Sequence, residues 1–229
     1  MARICLDYGH GGSDPGAVYK GRKEADDNLA LGKAVAKELR RHGINVDETR
    51  TGDKTVSLAE RSNFERKRSF DYFISFHRNA FKPEQAKGVE TYTYLNPSTK
   101  AKALAERIQA ALVAIGFASR GVKTANFHVL RETRAPAILV ETGFIDNTRD
   151  NQLFDSRRNE IVTAITKAIL SQLGVKYIPL ASSEPPHEQG NQILYRVMVG
   201  SYANRDNAEK QVERLKKAGF DATIMIHRP

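Results

Sequence analysis

Two histidines and a glutamate in the first third of the chain are of the residue types that hold a catalytic metal ion. His10 lies in a glycine-rich segment after a short apolar run, Glu24 precedes an amphipathic stretch, and His77 follows a second apolar run. Two imidazoles and one carboxylate make the ligand set of a catalytic zinc ion that keeps one coordination position for water. The sequence therefore predicts a metal-assisted hydrolase.

A further carboxylate, Glu141, ends the apolar run formed by residues 137–140. A carboxylate in that position is expected to be half-buried, and a half-buried carboxylate usually has a metal or a cation as its partner. Hydrolysis by an activated water also needs a group that takes up the water's proton. We therefore expect Glu141 to act as the general base.

The elements that must position these residues alternate along the first 175 residues. Short apolar runs predict strands at residues 3–7, 45–48, 71–76, 88–95, 128–130 and 137–140. Amphipathic stretches predict helices at residues 26–41, 57–67, 99–115 and 158–173. This alternation predicts an α/β fold, with a mostly parallel twisted sheet and helices on both faces. Because His10, His77 and Glu141 come at or just after the ends of predicted strands, one edge of the sheet is expected to gather them.

The composition changes after residue 175. Residues 176–192 are rich in proline and serine and have no periodicity, which is typical of a linker. Beyond it, residues 194–199 and 222–226 predict strands on either side of a helix at residues 204–217. We therefore predict a catalytic domain at 1–175, a linker at 176–192 and a small β-α-β unit at 193–229. A unit of fewer than about 40 residues is expected to pack on something else.

The chain is strongly basic, with a formal net charge of +9 and a pI near 9.6. Its lysines and arginines are spread along the chain, which favours an anionic polymer as partner, either nucleic acid or the acidic polymers of a bacterial wall. A single cysteine, Cys5, excludes an internal disulfide. No stretch reaches the roughly 18 apolar residues of a membrane span. The predicted first strand starts at residue 3, so we expect synthesis in the cytoplasm without a signal peptide.

Several separated segments resemble one enzyme family. The segments DYGHGG (residues 7–12), SFHRNA (75–80) and VETGFI (140–145), with Glu24 between the first two, resemble the zinc-dependent N-acetylmuramoyl-L-alanine amidases of the amidase-3 type. The resemblance covers residues 1–174. It implies that His10, Glu24 and His77 hold a zinc ion (Zn²⁺) and that Glu141 is the catalytic acid. The bond cleaved would join N-acetylmuramic acid to L-alanine in bacterial peptidoglycan.

The neighbours of the implied ligands depart from the family pattern. Tyr8 stands where the family usually has proline, and Phe76 and Arg78 flank the second histidine with bulkier side chains. These departures affect the fit of the substrate more than metal binding. Asn79 and Arg131 are candidate substrate contacts, since an arginine suits the carboxylates of a peptide. We expect His128 to be structural, because a fourth protein ligand would close the position for water.

The C-terminal unit resembles one β-α-β half of a sporulation-related (SPOR-like) repeat. Modules of that type bind glycan strands of peptidoglycan and normally contain two halves, whereas this unit has one. We expect a homodimer in which two half repeats pair, with docking onto the chain's own catalytic domain as the alternative. A wall enzyme without an export signal would act after lysis, as a phage endolysin or as a sporulation autolysin.

Two other functions compete with this interpretation. Another zinc peptidase or amidohydrolase would use the same ligand set on a similar sheet. A basic nucleic-acid-binding protein would instead need a basic stripe with stacking aromatic side chains. The chain has no tryptophan, and its aromatic residues lie mostly inside predicted strands. A nucleic-acid partner is therefore not expected.

Overall fold

Residues 2–179, 198–220 and 222–225 are the part of the chain that the computed structural model describes. The chain divides into two compact units, residues 1–180 and residues 181–229. The boundaries expected for the linker and for the C-terminal unit stay predictions.

The first unit is built on a six-stranded sheet. Its strands are β1 (Arg3–Tyr8), β4 (Asn45–Glu48), β5 (Tyr72–Asn79), β6 (Val89–Thr93), β7 (Ser119–Thr124) and β8 (Ala137–Phe144), and a separate short hairpin joins β2 (Val18–Tyr19) to β3 (Arg22–Lys23). The order across the large sheet is β4-β1-β5-β8-β6-β7. All neighbouring strands run parallel except β6 and β8. The predicted mostly parallel sheet is confirmed.

Helices lie on both faces of this sheet, as predicted. They are α1 (Glu24–Arg41), α2 (Leu58–Arg66), α3 (Thr99–Ile115), α4 (His128–Arg131), α5 (Thr148–Ser156) and α6 (Arg158–Gln172). The side chains of α1, α3 and α6 form the main core with alternate residues of the strands, such as Ile74 and Val140. On the opposite face, Val129 and Leu130 of α4 pack with Phe73 and Leu139 in a smaller cluster.

Alternation along the strands decides which side chains meet on the smaller cluster's face. In β5, Ile74 and Phe76 point into the main core, so His77 shares the other face with Phe73. The same alternation in β8 places Glu141 on the face of Leu139. The catalytic candidates from the two strands therefore lie side by side, on the face that α2 and α4 cover.

Two predicted strand ends were wrong. The strand expected at residues 71–76 runs on to Asn79, and the strand expected at 137–140 runs on to Phe144. His77 and Glu141 therefore lie inside strands and are paired in register, rather than standing beyond the strand ends. The apolar pattern stops early because these polar side chains line a cleft, while the backbone pairing continues beneath them.

Other differences arise where side-chain patterns are weak. The strand predicted at residues 128–130 is instead one helical turn, α4, because a short apolar run does not distinguish a strand from a buried helix. Two elements were not predicted: β7 is an edge strand with few apolar residues, and α5 has only Asp150 and Phe154 as buried residues. Helix α1 begins at Glu24, two residues earlier than predicted.

The second unit contains helix α7 (Arg205–Lys217), which confirms the predicted helix. The side chain of Asn204 caps it by accepting a hydrogen bond from the backbone N–H of Asp206 at 2.8 Å. The predicted strand at 194–199 lies outside the described residues except for its last two. Over residues 222–225, the described part of the other predicted strand, no strand is formed. Throughout the described ranges, each helix is too short or too polar to cross a membrane.

Candidate metal centre

His10, Glu24 and His77 meet near the carboxyl ends of the inner strands β1 and β5. Glu24 Oε1 lies 3.2 Å from His10 Nε2 and 2.9 Å from His77 Nδ1. One potential ligand atom from each of the three residues lies within 4.8 Å of the others. The separation is small enough for all three to bind a single metal ion.

His10 is positioned by the loop that follows β1. Its backbone has φ of 62°, a left-handed conformation that is uncommon for residues other than glycine and that concentrates at functional sites. Asp14 Oδ2 lies 2.8 Å from His10 Nδ1, and Arg61 donates a hydrogen bond to the carbonyl of His10 at 2.8 Å. The bond to Asp14 orients the ring, which leaves Nε2 facing Glu24.

Glu24 is held at the start of α1 and is only 5% exposed. Its Oε2 accepts a hydrogen bond from the backbone N–H of Ala17, and its Oε1 accepts from Asn28 Nδ2 and from the backbone N–H of Arg78. Burial alone would raise the pKa of Glu24, but hydrogen bonds and charge interactions with both histidines hold it far below its usual range. The carboxylate is therefore ionised and orders the two imidazoles around it.

The donor set favours a cation between the two rings. Burial would lower the pKa of His10, but its contacts with Glu24 and Asp14 raise it to about 9. Burial opposes the charged form of His77 as well, yet Glu24 raises its pKa too. Positive charge is thus stabilised at both ring nitrogens that face Glu24. A dication bound to neutral imidazoles would place positive charge at the same position, so these residues fit a metal ion.

Glu141 lies beside this centre with an oxygen free for chemistry. It is paired in register with His77, and its Oε2 is buried without a hydrogen-bond partner in the described part of the chain. Burial is the main reason that the pKa of Glu141 is raised, to about 7. A carboxyl group of that pKa can both accept and return a proton near neutral pH.

A cleft of about 430 Å³ leads to the centre. His10, His77 and Glu141 line its floor, and the exposed apolar side chains of Leu58 and Phe127 stand on its wall. A substrate can therefore reach His10, His77 and the side chain of Glu141 from the same side.

Two buried arginines, Arg50 and Arg61, support the loop that carries His10, and neither role is predicted by the sequence. Arg50 donates to the carbonyls of Tyr8, Gly9 and Ala25, and so joins the residue before His10 to the residue after Glu24. Arg61 donates hydrogen bonds to the carbonyls of His10 and Tyr8. Neither arginine follows a pattern that distinguishes it from a surface residue in the sequence.

Asp7 neutralises part of this buried positive charge. Its Oδ1 accepts hydrogen bonds from Arg61 Nη1 at 2.7 Å and Thr49 Oγ1 at 2.6 Å, and its Oδ2 accepts from Ser75 Oγ. Burial would raise the pKa of Asp7, but the charge of Arg61 and these hydrogen bonds hold it below its usual value. The ion pair therefore fixes α2 beneath the His10 loop.

Gly9 lies where a side chain would displace a ligand. A Cβ atom built at Gly9 would lie 2.2 Å from Cε1 of the His77 ring, far inside van der Waals contact. At Gly16, which has a φ of 66°, a Cβ would lie 2.6 Å from the His10 ring. The glycines of the first loop thus let the chain approach both histidines closely.

The remaining candidates lie around the centre. Asn79 donates from Nδ2 to Glu90 Oε1 at 2.5 Å, and its Oδ1 accepts from the backbone of Ala80. Arg131 is exposed and contacts Glu132 and Asn126. The roles of Asn79 and Arg131 as substrate contacts stay predictions. His128 lines the cleft, with its Nε2 3.2 Å from Ser62 Oγ.

Comparison with known proteins gives two family matches. Residues 4–171 match the N-acetylmuramoyl-L-alanine amidase family (Amidase_3), and residues 164–225 match the SPOR domain. The N-acetylmuramoyl-L-alanine amidase CwlM of Bacillus licheniformis is 34% identical over 98% of this chain and 85% of its own length. The sporulation-specific N-acetylmuramoyl-L-alanine amidase of Bacillus subtilis is 32% identical over 99% of this chain and 85% of its own length.

Solved structures agree with the sequence matches. The catalytic domain of CwlV, an N-acetylmuramoyl-L-alanine amidase from Bacillus (Paenibacillus) polymyxa, superposes with a TM-score of 0.71 at 32% identity, covering 77% of this chain and all of that domain. The family match spans the strands and helices that bring His10, Glu24, His77 and Glu141 together. The chain belongs to the N-acetylmuramoyl-L-alanine amidase family of the amidase-3 type, and the resemblance seen in its sequence is confirmed.

Proposed function

We propose that the chain cleaves the amide between N-acetylmuramic acid and L-alanine in peptidoglycan, with a zinc ion held by His10, Glu24 and His77. The observation that carries the proposal is the convergence of these three residues beside the unpaired buried oxygen of Glu141. When bound, zinc supplies Lewis acidity, which polarises a carbonyl and lowers the pKa of water toward neutrality.

The protein's own residues supply positioning and proton transfer. Glu24, fixed by backbone hydrogen bonds, keeps the two imidazoles at the spacing of a shared ion. Glu141 takes the proton of the attacking water and returns it to the nitrogen of the leaving L-alanine. Burial favours the protonated form of Glu141 by raising its pKa, which helps the carboxylate to take up the proton.

The products released from purified cell wall test this assignment. Mass spectrometry is expected to find peptides that begin with a free L-alanine amino group, together with glycan strands that keep their lactyl carboxylate. Cleavage elsewhere in the peptide would instead identify a different zinc peptidase. Salt-sensitive DNA binding without peptide release would favour the nucleic-acid alternative.

Gly9→Ala is expected to destroy zinc binding without unfolding the chain. The new Cβ would overlap the His77 ring and push a ligand out of place. We expect the zinc content, measured by plasma emission spectroscopy, to fall well below one ion per chain, while circular dichroism is unchanged. Gly52→Ala is the matched control, because nothing lies within 4 Å of its Cβ position. A Gly9→Ala chain that retains one tightly bound zinc would contradict the proposed centre.

The SPOR match supports peptidoglycan binding by the C-terminal unit, and we propose that two such units pair in a homodimer. A chain that ends at Pro179 keeps Val175 and Tyr177, which pack against the catalytic core. Light scattering is expected to show a dimer for the full chain and a monomer for the shortened chain. The shortened chain should still cut soluble muropeptides but should sediment less with whole walls. A monomeric full chain, or equal sedimentation of both, would remove this part of the proposal.

The match to a sporulation-specific relative along 99% of the chain favours the sporulation autolysin over the phage endolysin. We propose that the enzyme reaches its wall substrate when the cell that made it lyses. Zymography of lysates from sporulating cells, with a strain lacking the gene as control, would test whether the enzyme acts during sporulation. It would not test which bond the enzyme cleaves.

A further inference from the structure

A row of polar side chains crosses the smaller cluster's face of the sheet, from the metal centre to the edge strand. The register pairs His77 of β5 with Glu141 of β8, and Glu141 with Glu90 of β6. Tyr92, which shares the face of Glu90, is paired with Lys123 of β7. With strands about 4.8 Å apart, the backbone of β7 runs roughly 10 Å from that of β8 at Glu141.

Glu90 is the fixed centre of this row. It is 3% exposed, and its Oε1 accepts hydrogen bonds from Asn79 at 2.5 Å and from the Tyr92 hydroxyl at 2.7 Å. Its Oε2 accepts from Lys123 Nζ at 2.5 Å and from Arg120 Nε at 2.8 Å. Burial would raise the pKa of Glu90, but these donors hold it below its usual value. The carboxylate is therefore ionised and holds both cations in place.

The two cations keep capacity for a further anion. Together they carry two positive charges against the single charge of Glu90, and their side chains remain 36% and 39% exposed. Within the described residues, Arg120 uses only Nε as a hydrogen-bond donor, so both of its terminal nitrogens are available. The Arg120 guanidinium also lies 4.9 Å from the centre of the Phe144 ring, which restrains its orientation. A preorganised pair of this kind suits a carboxylate.

We propose that Arg120 and Lys123 bind the carboxylate of the second residue of the peptide that leaves during cleavage. The inference rests on the proposed function and adds a preference for acidic peptides to it. The N-acetylated sugars carry no charge once the lactyl carboxyl is part of the amide, whereas the peptide side carries free carboxylates. Charge complementarity therefore assigns the β6–β7 end of the face to the peptide. Two extended residues span about 7 Å. The second residue of a peptide that starts at the metal centre therefore comes within reach of the long side chains of Arg120 and Lys123 on β7.

Paired substrates test this assignment. Two muropeptides are used whose peptide ends at the second residue and that differ only in whether the α-carboxyl of that residue is free or amidated. The unaltered chain is expected to have the higher kcat/KM on the free carboxylate. Lys123→Met and Arg120→Met are each expected to reduce that preference about ten-fold, through KM, because a hydrogen bond to a charged group is lost.

Lys102→Met is the control for net charge. Lys102 lies on α3, on the opposite side of the sheet, and its side chain is 65% exposed. The Lys102→Met substitution removes the same positive charge and should leave the preference for the free carboxylate intact. Equal kcat/KM on both muropeptides by the unaltered chain, or equal losses in all three variants, would overturn this inference while leaving the amidase assignment in place. Failure to cut either muropeptide would overturn the proposed function and this inference together.

Discussion

Glu141→Gln is expected to lower kcat by a factor on the order of 10² to 10⁴ while the chain keeps its zinc. The amide has the size of the carboxylate and can still form hydrogen bonds, but it cannot accept a proton from water. Glu141 is not among the three residues whose ligand atoms converge, so its replacement should leave the metal site intact. The rate is measured as release of L-alanine amino groups from purified peptidoglycan, with zinc content determined on the same sample.

Glu106→Gln is a suitable control for this experiment. Glu106 is an exposed carboxylate of α3, on the other face of the sheet, and lies 3.9 Å from Lys102 Nζ. The control should hydrolyse wall close to the unaltered rate. A Glu141→Gln chain that is as fast as the unaltered chain would show that another group moves the proton. Loss of zinc together with activity would instead make Glu141 part of the metal site.

Removal of the metal is expected to bring hydrolysis to background. A chelator should strip the ion and abolish turnover, because the ion polarises the carbonyl of the substrate. Added zinc should restore turnover. His77→Ala should lose both zinc and activity, since it removes one of three ligands. Undiminished hydrolysis by chain shown to be free of metal would reject the proposed mechanism.

The sequence alone predicted the residues that meet at the centre, because His10 and His77 follow apolar runs and the family resemblance singles out Glu24. His10 and His77 are brought together in the structure as the alternation of strands and helices led us to expect, and Glu24 joins them from the start of α1. Strand ends were less predictable. The polar side chains of His77 and Glu141 interrupt the apolar pattern, although the backbone ladder continues through both residues.

What supports the centre could not be predicted, because it depends on contacts distant in the sequence. Arg50 and Arg61 bond carbonyls more than 40 residues away, and their burial has no local signature. Glu90 gathers its partners from three strands in the same way.

The SPOR match begins at residue 164, inside α6, where the sequence pattern shows only an amphipathic helix.

Anomalous diffraction at the zinc edge, from crystals grown with zinc, tests the proposed metal centre most directly. We expect one strong peak, with His10 Nε2 and a His77 ring nitrogen about 2.0 to 2.1 Å away and a Glu24 oxygen about 2.0 to 2.2 Å away. Glu141 should stand beside the ion without binding it. The absence of a peak between these residues, or a peak with a different ligand set, would contradict the assignment.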